Sequence, residues 1–279
     1  MIPTDDQIRV AAYQRWQRRG HSHGHHEADW LAAQQDLLLA LNYRTVARYQ
    51  ADARPIPPTA EPSRRVCRFC EQSPPRTSFG PPGPALPPSL GVPGPLRTDV
   101  CLACQESFET SLAAPLERFI AAVRSGLPPS TIPTQAYKGL VSALLTMMPP
   151  ALLELFPDAL EWASQPEADR LDAELARRGV LVHSLDQRQI PWSAILVKTD
   201  DAMPMPHVLA FLGLETATIE LPMPLCVRDE DLDGETIFEP LVASLDGLTH
   251  GTTRPRTQRI PIARDAAPRR GRILSLDLP

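Results

Sequence analysis

The chain has 279 residues, 43% of them hydrophobic, with 32 prolines and a formal net charge of −5. This length exceeds a typical single core of ~100–200 residues, so more than one folding unit is expected. The N-terminus has no basic start followed by an apolar run, and no stretch approaches the ~20 consecutive apolar residues of a membrane span, which predicts a soluble cytoplasmic protein.

From Asp5 to Arg19 the apolar residues Ile8, Ala12 and Trp16 recur every fourth position, with Tyr13 beside them, so one face of a helix is marked for burial. Gly20 is placed to cap it. After the turn His21–His26, the residues Trp30, Leu31, Gln34, Leu37, Leu38 and Leu41 predict a second helix, and the two would pack as a hairpin. The order Ile8, Ala12-Tyr13, Trp16, Gly20, His23-Gly24-His25 and Trp30 resembles a short bacterial domain family of unknown function. That resemblance places the first forty or so residues and implies no activity. The segment Arg54–Pro62 (RPIPPTAEP) follows as a linker, because proline fixes φ and lacks the N–H donor.

Five cysteines, four of them as Cys67-x-x-Cys70 and Cys101-x-x-Cys104, point to metal in a chain without a secretion signal. Each pair puts two thiolates on one tight turn, and four thiolates complete the tetrahedral shell of a structural Zn2+ ion. Two disulfides, a redox CxxC or four unrelated buried thiols are the competing readings. Helical spacing after Cys104 (Phe108, Leu112, Phe119, Ile120, Val123) places the second pair at a helix N-terminus, where the dipole favours thiolate. Gly80–Pro95 (GPPGPALPPSLGVPGP), between the pairs, reads as a loop without regular structure. Such a segment cannot build a hydrophobic core, so the metal supplies much of its folding energy. A closed four-sulfur shell leaves no position for chemistry.

Around both pairs, Pro87, Leu90, Gly91 and Phe108 fall within CRFC, GPALPPSLGV and CLACQESF. Val66–Ile120 thereby resembles the zinc-containing HNH endonuclease superfamily, which implies a treble-clef-like fold. Weaker likeness continues into YKGLVSALLTMMP and HVLAFLGLETATIELPMP as an accessory region. The departures concern the reaction centre: aligned on Gly91, the family's catalytic His falls on Pro84, its Asn on Val92, and the Asn after the last cysteine on Gln105. No His lies between Cys67 and Cys104, so the general base and the site for a second metal are missing.

Further along, Ala136–Met148 is apolar at helical spacing and stopped by Pro149-Pro150. Short helices are expected at Ala151–Leu155, Ala159–Ser164 and Glu167–Arg178, then strands at Val180–His183, Ser193–Lys198, His207–Leu212 and Ala217–Leu221, the last two joined by a turn at Gly213-Leu214-Glu215. Residues 129–253 hold 7 Lys+Arg against 19 Asp+Glu, a net of −12, whereas 254–279 hold 7 Arg against 2 Asp, a net of +5. The final twenty-six residues, rich in Arg and Pro, are expected to be disordered, with arginines suited to phosphate or to an acidic partner.

Other candidates have bland readings. His21, His23, His25 and His26 have the spacing for a second metal, although a solvated turn fits them better. His183, His207 and His250 read as isolated core or surface residues, Cys226 as a buried strand thiol, and Asp229-Glu230-Asp231 as a solvated acidic loop. Phosphate-binding glycine loops and GxSxG elbows are absent.

The expected organisation is α+β: a helical hairpin (1–50), a Pro-rich linker (51–65), a small zinc-bound treble-clef-like domain (66–128), an acidic helical segment followed by a small antiparallel sheet (129–250), and a basic disordered tail (251–279). No catalytic residue is assigned. The expected function is a non-catalytic zinc-binding recognition or assembly module. A divergent HNH-type nuclease, completed by a residue from the C-terminal region, and a pure interaction protein are the alternatives. Expected partners are another protein at the hairpin and nucleic acid or an acidic partner at the arginine-rich tail.

Overall fold

The computed structural model describes residues 1–50, 65–92, 94–165, 179–185, 188–199, 205–229 and 256–263. Helix α1 (Asp5–Arg18) opens with a capping box: the Thr4 hydroxyl accepts the Gln7 N–H, and the Gln7 side chain accepts the Thr4 N–H. Helix α2 (His26–Asn42) pairs with it, and the two are tied by ion pairs from Arg15 to Asp36 and from Arg19 to Asp29. This is the hairpin read from the apolar spacing, with α2 starting at His26 instead of Trp30.

The chain leaves α2 directly into strand β1 (Tyr43–Gln50), a stretch to which the sequence reading assigned no element. Its Tyr, Thr and Val residues suit a pleated surface. It runs antiparallel to a distant strand near residue 195, so the hairpin is fastened to the C-terminal half of the chain. The linker 51–65 lies outside the described residues except for Arg65.

Between the cysteine pairs the expected irregular loop is more ordered than its composition suggests. Strands β2 (Gly83–Pro84) and β3 (Leu96–Arg97) form a short antiparallel ribbon, extended by the Ala85 N–H bonding the Pro95 carbonyl at 2.8 Å. Proline here serves as acceptor, the half of the ladder it can still supply. A 3₁₀ turn at Pro88–Leu90 ends on Gly91, which sits in the left-handed region at φ 56°.

Helix α3 (Leu102–Ser111) bends into α4 (Ala113–Arg124). Helix α5 (Thr134–Met147) follows, then α6 (Pro150–Leu153) and α7 (Pro157–Ser164). Every residue of α5 from Ala136 to Met147 is buried, as expected of a helix walled in on all sides. Gly139 permits the close approach of α4, since a Cβ there would lie 3.2 Å from the Leu112 carbonyl and 3.3 Å from the Leu116 Cβ. The helix expected at Glu167–Arg178 lies outside the described residues.

Strands β4 (Val180–Ser184), β5 (Trp192–Lys198), β6 (Val208–Gly213) and β7 (Ala217–Pro222) match the four expected runs. A further strand, β8 (Arg256–Ile260), completes a six-stranded antiparallel sheet in the order β1-β5-β6-β7-β4-β8. The expectation of a tail without structure from residue 251 is therefore corrected for Arg256–Ile260. Ile260 and Ile262 are buried, and Ile262 bridges to Ile132 just ahead of α5. Two apolar residues inside an arginine-rich run are enough to anchor it.

One sheet face, including Val182, Ile195, Val208, Ala210 and Ile219, shares a continuous core with α4, α5, α7 and the cysteine segment. The other face carries Trp192, Ala194, Leu196, Leu209 and Phe211, which pack with Leu39 of α2 and Tyr43. Strands covered on both sides lose the polar alternation of a half-exposed sheet, and β5, β6 and β7 are buried throughout. Trp192 lies flat over Gly213, where a Cβ would come within 2.1 Å of the indole nitrogen. Gly213→Ala is expected to destabilise the protein by about 1–3 kcal/mol through overpacking. Urea unfolding measures this, and an unchanged midpoint would contradict the packing described.

Candidate metal centre

The first cysteine pair forms a tight turn. The Cys67 N–H bonds the Gln72 carbonyl at 2.9 Å and the Glu71 N–H returns to the Cys67 carbonyl at 2.9 Å. Glu71 closes the turn with φ 55°, a left-handed conformation that only the geometry of the turn demands. The second pair is held by a helix start: Cys101 is the N-cap of α3 and Cys104 sits in its first turn. The positive end of the helix dipole therefore lies against two of the sulfurs.

The four Sγ atoms all lie within 4.8 Å of one another. Cys67 and Cys104 are 3.8 Å apart and Cys70 and Cys101 are 3.7 Å apart. A tetrahedral ion with metal–sulfur bonds of ~2.3 Å requires sulfur–sulfur edges of about 3.8 Å, whereas a disulfide requires ~2.05 Å. The group has the dimensions of a metal shell, and all five cysteines are free thiols. Among the described residues it is the group of three or more His, Cys, Asp or Glu side chains dimensioned for a metal.

The surroundings favour negative sulfur at Cys67. The Cys101 N–H donates to Cys67 Sγ at 3.4 Å. Hydrogen bonding from Cys104 pulls the Cys67 thiol down to about 4 against the effect of burial, with further help from the backbone N–H groups of Cys70, Cys101 and Phe69. Cys104 is correspondingly pushed up, first by its hydrogen bond to Cys67 and then by burial, and Cys70 is pushed up mainly by burial. Four thiolates in one place need a cation to hold them.

Two arginines connect this centre to the core. Arg68, inside the first CxxC, is buried. Its Nη1 donates to the carbonyls of Leu145 (2.7 Å), Thr146 (3.1 Å) and Met148 (3.2 Å), and its Nη2 pairs with Asp99. Arg97 on β3 donates to Thr146, Met147 and Met148 at 2.5, 2.6 and 2.8 Å. Together they satisfy the orphan carbonyls at the C-terminal end of α5 and place positive charge at the negative end of its dipole. Sequence reasoning missed both, since nothing in a CxxC spacing says where its intervening Arg points.

The residues shared with the HNH pattern have structural roles. Leu90 is fully buried, Gly91 caps the 3₁₀ turn, and Phe108 meets Phe69 edge-on at 4.8 Å. Pro84, which the resemblance aligns with a catalytic His, lies in β2 on the wall of a cleft of about 550 Å3 between the ribbon and helices α3, α4 and α5. No histidine is among the described residues lining that cleft. Val92 is buried, and the Gln105 side chain bonds the Val100 carbonyl at 3.1 Å.

The histidines lie elsewhere. His21 and His23 pack their rings against Trp16 and, with His25 and His26, are exposed. His183, buried in the sheet, bridges Thr257 Oγ1 (3.0 Å) and Glu220 Oε2 (2.8 Å). The His207 N–H donates to Asp229 Oδ1 at 2.8 Å, so Asp229 is a buried acceptor and not part of a solvated loop. Cys226 is buried as expected, in the connection after β7 and not in a strand. His250 and residues 230–235 lie outside the described residues. Among the described residues no helix is long and apolar enough to cross a membrane.

Residues 3–38, the α1–α2 hairpin, match a family described as a protein of unknown function (DUF2934). This agrees with the resemblance carried by Ile8, Ala12-Tyr13, Trp16 and the His/Gly turn. No curated protein and no solved structure matches the chain.

Arg68→Met is expected to cost about 1–3 kcal/mol, because it removes the partner of Asp99 and a buried donor to the Leu145 carbonyl, while Arg97 still serves Thr146 and Met148. Chemical denaturation of the metal-loaded protein measures it, and a loss below the usual surface-mutant range would contradict the assignment. Burial raises the Glu220 carboxyl above its ordinary 4.5 despite the hydrogen bond from His183. The folded state then holds a proton that the unfolded state releases, so this contribution is complete below pH 4.5 and is lost as pH rises through the raised value. Glu220→Gln is expected to flatten the fall of stability with pH above 4.5. Unfolding midpoints of the two proteins across that range check it, and identical slopes would refute it.

Proposed function

We propose that Cys67, Cys70, Cys101 and Cys104 bind one structural zinc ion, and that the chain is a non-catalytic recognition or assembly module built on an HNH-like nuclease framework. The observation that carries this reading is the pairing of a four-sulfur group of tetrahedral dimensions with a cleft whose wall has Pro84 in place of an imidazole. Zinc is the metal of choice for four thiolates in tetrahedral array, and a closed sulfur shell leaves it no site for water or substrate. The retained HNH-pattern residues support common framework and the replaced ones support loss of hydrolysis.

A divergent HNH-type nuclease is the second reading, and the carboxylates Glu109 and Glu117 at the cleft give it a footing as potential ligands of a catalytic cation. The module's partners are proposed to be another protein, met in part through the α1–α2 hairpin with its exposed Val10 and Tyr13. Nucleic acid or an acidic partner is proposed for the arginine-rich tail, of which residues 251–255 and 264–279 lie outside the described ones.

Purified protein is expected to carry about one zinc per chain, and Cys67→Ser with Cys101→Ser is expected to lose both the metal and the folded signal of residues 66–125, since structural zinc contributes roughly 10–16 kcal/mol in small domains. Supercoiled plasmid incubated with the zinc-loaded protein and added magnesium or manganese is expected to stay intact. Nicking that disappears in Glu109→Gln/Glu117→Gln would establish the nuclease reading instead.

A further inference from the structure

The cleft beside the cysteine group has an apolar floor from Val100, Leu112, Leu116 and Ala143. Two polar side chains are sunk into this floor, and one of them, Thr146, is satisfied by donating its hydroxyl to the Ser142 carbonyl at 2.8 Å. Ser142 is 3% exposed, lines the cleft, and its Oγ has no hydrogen-bond partner among the described residues. A buried hydroxyl without a partner is costly, and it is tolerated where a ligand completes it.

The charge of the cleft has the wrong sign for a phosphodiester. Glu109 near the end of α3 and Glu117 in α4 stand exposed at its edge. Arg97, a cation in the lining, has Nε and Nη2 turned onto the α5 carbonyls. A phosphodiester would meet two carboxylates with little compensation, whereas a cation on an apolar stem would pair with the carboxylates at the mouth and cover the floor with its body. A volume of about 550 Å3 suits a few side chains and not a folded surface.

We infer that this cleft receives a partner protein's peptide segment in which an arginine or lysine adjoins leucine-like residues, the basic group pairing with Glu109 and Glu117 and the segment's backbone or side chain completing Ser142 Oγ. The inference rests on the recognition-module reading and gives that module a partner chemistry.

The test uses the full chain with its metal content verified, titrated into a fluorescein-labelled peptide of alternating leucine and arginine, with a leucine–glutamate peptide as control. Saturable binding of the arginine peptide that weakens with added salt is expected. Glu109→Gln/Glu117→Gln is expected to weaken it by about three- to tenfold, the scale of exposed ion pairs. Ser142→Ala is expected to weaken it by about two- to tenfold, the scale of one hydrogen bond, without lowering the melting temperature of the unliganded protein. Absence of saturation, equal affinity for the glutamate peptide, or undiminished binding by the double glutamine variant would each overturn the inference. Because zinc content is measured on the same samples, a metal-loaded protein that fails to bind refutes the cleft assignment alone, and a metal-free one refutes the reading beneath it.

Discussion

Convergence of four sulfurs is the constraint on which the rest of the cysteine segment depends. The described residues of 65–101 contain no helix longer than one 3₁₀ turn and a ribbon only two residues deep on each side. Their side chains enter the common core through Phe69, Ala85, Leu86, Leu90, Val92 and Val100, with Phe79 packed beside them, a small apolar set for so much irregular chain. Cross-linking the turn at Cys67–Cys70 to the start of α3 fixes the segment's two ends, and the ribbon between them then has a defined span to close.

The same cross-link sets the position of Arg68 and therefore reaches beyond the segment. Arg68 from the first CxxC turn and Arg97 from β3 approach the end of α5 and share the carbonyls of Thr146 and Met148. Helix α5 in turn forms the middle of the layer under the sheet, with α4 held close at Gly139 and α7 on its other side. A disturbance at the sulfurs is thus transmitted to the sheet by a short chain of buried, directional contacts. This makes the cysteine group and the sheet parts of one packed body, despite the change of charge and composition along the sequence.

Local periodicity made most of the elements legible. The apolar spacing of Ile8, Ala12 and Trp16, the continuous run of α5, and the four β-rich segments from Val180 to Pro222 each carry enough signal within one element. What was missed is what depends on distant partners. Strand β1 follows a helix without a turn signal and is defined by pairing with β5, while β8 sits in an Arg-rich stretch and is held by Ile260 and by the ladder to β4. The ribbon in the Pro-rich loop was hidden for a related reason, since proline composition argues against donors but not against acceptors. At the site, cysteine spacing was sufficient to group the sulfurs, whereas the cleft with Ser142, Glu109 and Glu117 draws on two separate regions of the chain and has no sequence signature.

The HNH-pattern residues divide by what they do. Leu90, Gly91 and Phe108 shape the backbone around the sulfurs, and Pro84 and Gln105 face a cleft with Glu109 and Glu117 at its edge. The central claim is most directly tested by X-ray absorption at the zinc edge of the purified full chain. The account predicts a single shell of four sulfur neighbours at about 2.3 Å. A shell containing nitrogen or oxygen, or a folded protein without zinc, would contradict it.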